Sequence, residues 1–199
     1  MTTDQGLGRA VRLVAILNLT YFGVEFAVAL HIGSVSLLAD SIDFLEDAAV
    51  NFLIFAALGW SLQRRARLGM ALAGLLLAPA LAFAWALWRK YVEPVPPEAI
   101  PLTVTGAGAL IINLYCAFTL ARFRRHAGSL TRAAFLSARN DALANVAIMG
   151  AGVATLFTRS VWPDLVVGVG IAAMNVDAAR EVWNAAREEH RTLSNAPRP

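Results

Sequence analysis

Residues 34–51 read SVSLLADSIDFLEDAAVN, and the placement of acids in this stretch decides how the chain is read. Asp40, Asp43, Asp47 and Asn51 recur at intervals of three and four. On a helix that spacing puts all four on one face. Val35, Leu37, Leu38, Ile42, Leu45 and Val50 fill much of the rest, so the segment reads as an apolar helix carrying an acidic stripe. No Lys or Arg lies between Ser34 and Leu62 to neutralise the stripe in line. A charge near the centre of a bilayer costs at least ~2.5–3.5 kcal/mol, and like-charge repulsion adds to that. Acids so placed either hold protons or enclose a cation.

The rest of the chain supplies the bilayer. Of 199 residues, 58% are hydrophobic and 16% charged, and the mean hydropathy is +0.58. A water-soluble domain typically carries about a quarter charged residues. Six helical spans of ~20 residues fit, at about Val11–Ile32, Ser36–Leu62, Leu68–Trp88, Leu102–Phe123, Ala134–Phe157 and Asp164–Asn184. The fold class expected is therefore an all-α membrane protein, a bundle of six transmembrane helices. Residues 1–187 are expected to form the six-span membrane domain and 188–199 a short, polar, disordered cytoplasmic tail. Pro79 is expected to kink the third span. The net charge of +3 does not indicate nucleic acid, because the arginines cluster between apolar runs. Arg9 and Arg12, Arg64 to Arg67, Arg122 to Arg132, and Arg187 to Arg198 all fall on one side of a six-span topology. The positive-inside rule puts both termini in the cytoplasm. YVEPVPPEAIP, residues 91–101, reads as an external loop. The sole cysteine, Cys116, rules out an intrachain disulfide and a thiolate cluster.

Two other spans carry matching polar faces. Asn18, Tyr21 and Glu25 share one in the first span; Ser137, Asp141 and Asn145 share one in the fifth, with Asn140 beside it. Packed against the second span they would make an oxygen-rich pocket, suited to harder divalent ions and acceptable to zinc. Each acid also has a plainer reading. Asp43 and Asp47 could form a structural salt bridge or lie at a solvated helix end. Asp141 could pair with Arg139 or Arg132. Asp40, nearer the external mouth, could gate or cap, and Glu25 could hold a proton or a hydrogen bond to a neighbouring helix. Glu46 points away from the stripe. Gly106, Gly108, Gly168 and Gly170 are expected where helices approach closely.

The second span resembles the signature of the cation diffusion facilitator family of metal/proton antiporters: a Ser- and Leu-containing turn, then Ala39-Asp40, then an acid four residues before Asp47. Asn18, Glu25, the segment Ser137 to Leu143 and Trp162-Pro163-Asp164 also resemble that family, and the likeness runs to about Trp183. It implies efflux of a divalent metal from the cytoplasm in exchange for protons, across a bacterial-type inner membrane, by a homodimer. Metal ligands would be Asp43, Asp47, Asp141 and Ser137, with Asp40, Asn140, Asn18 and Glu25 as supporting or proton-carrying groups. No cofactor is implied; the metal is cargo. Ser137 stands where histidine is common in the family, and a hydroxyl is a weaker zinc ligand than imidazole. Zinc is the family default, and manganese, iron, cobalt and cadmium stay open. The family's usual cytoplasmic metal-binding domain has no counterpart in these 199 residues. Two rivals remain. One is a membrane-embedded, metal-dependent lipid-head-group transferase, which Phe44-Leu45-Glu46 fits poorly. The other is a non-transporting membrane subunit.

Overall fold

A computed structural model describes residues 3–57, 80–121 and 128–175, with side chains over 6–56, 80–121 and 140–175. The described residues form six helical stretches and no strand: α1 (Thr3–Ile32), α2 (Val35–Ala57), α3 (residues 80–92), α4 (Ala99–Ala121), α5 (Gly128–Thr158) and α6 (residues 162–175). All six expected spans have a helical counterpart. Among the described residues three helical segments are long and apolar enough to cross a membrane: Gly6–Ile32, Ala99–Ala121 and the Asn140–Thr158 part of α5. Pro79, the Arg64–Arg67 and Arg122–Arg125 clusters, the Ser137 side chain and the tail from residue 176 lie outside the described residues.

Boundaries differ from the sequence expectation for local reasons. The first helix begins at Thr3 rather than near Val11, because nothing from Thr3 to Arg12 breaks a helix and glycine at 6 and 8 only weakens it. The expected external loop at 91–101 shrinks to residues 93–98. α4 starts at Ala99, with the Leu102 N–H bonded to the Glu98 carbonyl at 3.1 Å, so Pro101 falls in the first turn, where its missing N–H costs nothing. α1 ends at Gly33, whose φ of 65° lies in the left-handed region that glycine alone enters without strain. Arg159 (φ 51°) closes α5 in the same way.

α1 packs along α2 and α4 along α5, and α1 also meets α4 and α2 meets α5. Apolar side chains close both ends. Leu7, Val11, Val14, Ile54, Cys116, Ala117 and Leu120 pack at one end, and Ala29, Leu37, Leu38, Ala39, Leu102, Ile148 and Ile171 at the other. Between them lies a buried polar layer holding Asn18, Glu25, Asp40, Asp43, Asp47, Asn113 and Asn145. The perimeter is apolar: Leu13, Ile16, Ile111, Phe118, Leu143 and Phe157 are all exposed. Polar inside and apolar outside is the arrangement a bilayer solvent demands. Gly168 permits one close crossing, since a Cβ there would sit 2.8 Å from the Ser36 amide nitrogen. Gly106 and Gly108 also lie close to neighbouring side chains, Ile148 and Tyr21 respectively, whereas Gly170 meets nothing among the described residues.

Candidate metal centre

The acidic helix is held by its first turn. Ser34 caps α2, its Oγ accepting from the Leu37 N–H at 3.2 Å. The buried carboxylate of Asp164, from the start of α6, accepts from the Val35 and Ser36 amides at 2.9 and 3.1 Å. It also accepts from the Ser34 and Ser36 hydroxyls, both at 2.6 Å. Four donors thus converge on one anion at a helix N-terminus, where the backbone dipole favours negative charge. This clamp fixes the rotation of α2 and hence the direction of its acidic stripe.

The stripe faces inward as the spacing requires. Asp40 is fully buried, and Asp43 and Asp47 are each only 8% exposed, whereas Glu46 is exposed on the other side. Asp43 lies within electrostatic reach of Asp141 on α5 as well as of Asp40 and Asp47, so acids from two helices look into one region. Asp141 is half-buried. Asn140, one residue earlier, is exposed, on a different side of the helix. Among the described residues no three His, Cys, Asp or Glu side chains come close enough to hold an ion together. The acids share a region and are not gathered into a closed cage.

α1 runs antiparallel along this stripe. Tyr21 packs on Phe44 with ring centroids 5.0 Å apart, and its hydroxyl donates to the Thr105 carbonyl of α4 at 2.6 Å. Asn18 is fully buried, with the Cys116 thiol 3.7 Å from its Oδ1. One turn beyond Tyr21, Glu25 meets Asp40, and Asn145 of α5 faces the same aspartate. The polar faces expected of the first, second and fifth spans are therefore brought together, apart from Asn140 and the undescribed Ser137 side chain.

Sequence reasoning missed Asn175. Its Nδ2 donates to Asp43 Oδ1, bringing α6 to the site. The residue lies in a long apolar run, VVGVGIAAMN, and a lone amide at the end of such a run was the available signal. The role of Asp164 was missed too, because capping of a distant helix leaves no spacing pattern. A cavity of about 390 Å³ opens at the α1–α2 turn, lined by Ala29, His31, Leu38, Trp85 and Lys90 among others. The 7%-exposed Lys90 ammonium donates to the Val95 carbonyl there.

Known proteins match this arrangement. The zinc transporter ZitB of Pectobacterium atrosepticum is 23% identical over 209 residues, covering 98% of this chain and 64% of that protein. ZitB of Yersinia pseudotuberculosis is 25% identical over 199 residues, covering 93% of this chain and 63% of its own length. The chain thus spans just under two thirds of the length of these relatives. The family model for the cation efflux transmembrane domain matches residues 11–188, nearly the whole sequence. This chain belongs to the cation efflux family.

Proposed function

We propose that the protein exports a divalent transition-metal cation from the cytoplasm, with zinc first among the candidates, in exchange for protons. The observation that carries this reading is the buried pair Asp43 and Asp47, turned toward Asp141 of another helix amid apolar surroundings. Carboxylates in that setting hold protons or a cation. Family membership and the zinc transporters among the relatives support a metal as that partner.

In the proposed cycle the metal enters from the cytoplasmic side and draws Asp43, Asp47 and Asp141 together, with Ser137 or water completing the shell. Metal ligands must be deprotonated, so binding releases protons, and their return from outside expels the ion. The arginine distribution supports six spans with both termini in the cytoplasm, an inner-membrane location and hence an outward direction for the metal. Assembly as a homodimer through membrane helices belongs to the same reading. The test is zinc uptake into proteoliposomes under an imposed pH gradient. Uptake should follow the gradient and collapse at least 100-fold in Asp47→Ala, a change of about 2.7 kcal/mol or more. Transport that ignores the gradient, or survives Asp47→Ala, refutes the scheme.

A further inference from the structure

Lys90 poses a physical problem separate from the acidic layer. It lies near the end of α3, where a lysine on a membrane helix ordinarily extends its ammonium to the interface and its water. Arg89, one residue earlier, does so: it is exposed and pairs with Glu93 at 3.2 Å. Lys90 is instead only 7% exposed. Its Nζ donates to the Val95 carbonyl and lies beside Gly33, 3.8 Å from where a Cβ there would stand. An ammonium carries three N–H donors, and Val95 takes one of them. Asp164 acts on Lys90 through space, but its oxygens already receive four donors. Among the described residues no carboxylate stands in ion-pair contact with Lys90. A buried cation left with spare donors and no counter-ion is costly.

Lys90 and Gly33 line the 390 Å³ cavity at the α1–α2 turn, a volume in the range of small-molecule sites. Its charged lining is Arg89 and Lys90 against Glu93, two cations to one carboxylate, so the cavity repels a metal ion and attracts an anion. His31 adds an exposed polar group. The remaining wall is largely apolar, with Leu30, Leu38, Ala82, Trp85 and Ala86. A small hydrated anion gains nothing from that wall, whereas an amphiphile uses both the ammonium and the apolar surface. The surroundings supply such a molecule. Leu30 and Trp85 are 53% and 64% exposed on the apolar perimeter, so the cavity adjoins the surface that lipid covers. Trp88 and Tyr91, exposed and with ring centroids 6.4 Å apart, mark the headgroup level beside it.

We propose that this cavity binds an anionic phospholipid, its headgroup phosphate on the Lys90 ammonium and its apolar part against Leu38, Ala82 and Ala86. A lysine serves a phosphate as a point charge, and basic pockets between membrane helices suit acidic headgroups. The site stands apart from the metal centre and does not depend on the transport reading. Protein stripped of lipid in detergent is titrated with phosphatidylglycerol or phosphatidylcholine, and bound lipid is counted by native mass spectrometry. Phosphatidylglycerol should bind about tenfold tighter than phosphatidylcholine, and Lys90→Met should erase that preference. Ala86→Phe, which keeps the ammonium and fills the apolar wall, should weaken phosphatidylglycerol by about tenfold. Arg159→Gln, which removes an exposed charge outside the cavity at the same end of the bundle, should leave binding unchanged. Excess inorganic phosphate should not displace the lipid. Unchanged helical circular dichroism establishes that each variant is folded; if Lys90→Met is not, Ala86→Phe decides. Any of five results overturns the proposal: no preference in the wild type, preference kept in folded Lys90→Met, phosphatidylglycerol binding unchanged in folded Ala86→Phe, an equal loss in Arg159→Gln, or displacement by inorganic phosphate. The fourth would mean diffuse surface attraction, and the last a site for a free anion.

Discussion

Removing the Asp164 carboxylate should destabilise the protein more than any other single change outside the acidic stripe. Asp164→Ala takes away the acceptor for four buried donors at 2.6–3.1 Å. Hydrogen bonds to a charged group are each worth ~1.5–3 kcal/mol net, so a simple sum would reach ~6–12 kcal/mol. Relaxation reduces it. The Ser34 and Ser36 hydroxyls already stand 3.3 Å apart and can pair with each other once the carboxylate is gone. Ser34 also keeps its bond from the Leu37 amide. What remains is two buried N–H groups without acceptors, at ~1–3 kcal/mol each, and the lost interaction of an anion with a helix N-terminus, ~1 kcal/mol. These terms sum to ~3–7 kcal/mol, and the ~3–5 kcal/mol that follows removal of one partner from a buried charged cluster narrows the expected loss to about 3–5 kcal/mol. At ~2–4 °C per kcal/mol for a chain of this size, the melting temperature should fall by about 6–20 °C. Asp164→Asn keeps one acceptor oxygen and should lose roughly half as much. The assay is thermal unfolding of the detergent-solubilised protein by helical circular dichroism. An Asp164→Ala protein melting within about 2 °C of wild type would show that the clamp does not hold α2.

Gly168→Ala should cost about 1–3 kcal/mol by overpacking, because the new Cβ would meet backbone atoms of Val35 and Ser36 at 2.8 Å and neither can swing aside. The same thermal melt reads it, and Gly170→Ala, which meets nothing, is the neutral comparison. Asn175→Leu removes the amide that orients Asp43 and should weaken zinc binding by about tenfold without lowering the melting temperature of the metal-free protein; calorimetric titration checks it. Ser137→His restores the imidazole common in the family one helical turn from Asp141 and should raise the preference for zinc over manganese by at least tenfold in a competitive titration. Unchanged preference would exclude position 137 from the metal shell.

The residues that were legible in the sequence are those whose signal is a period along one helix. Asp40, Asp43 and Asp47 repeat at three and four, and the structure turns all three inward; Asn18, Tyr21 and Glu25 do the same on α1. The helices themselves followed from apolar length; the end of α1 before Gly33 fell where it was expected, whereas the starts of α1 at Thr3 and of α4 after Glu98 did not. Pairings between helices were not legible, since no spacing records them. That Glu25 meets Asp40 rather than Asp43 depends on the α1–α2 register, which is set by the tight turn at Gly33 and by Tyr21 packing on Phe44. That Asp164 caps a helix 128–130 residues earlier depends on the approach of α6 at Gly168. One register therefore has two consequences. It brings Asp43 and Asp47 toward Asp141, and it sets Glu25 against Asp40. A slip of one helical turn between α1 and α2 would pair Glu25 with Asp43 or Phe44 and dissolve the Glu25–Asp40 contact while keeping the acidic stripe inward. The Glu25–Asp40 contact thus follows from the turn geometry as much as from the acids themselves, and lengthening the turn after Gly33 by one residue should separate the two side chains before it disturbs the fold.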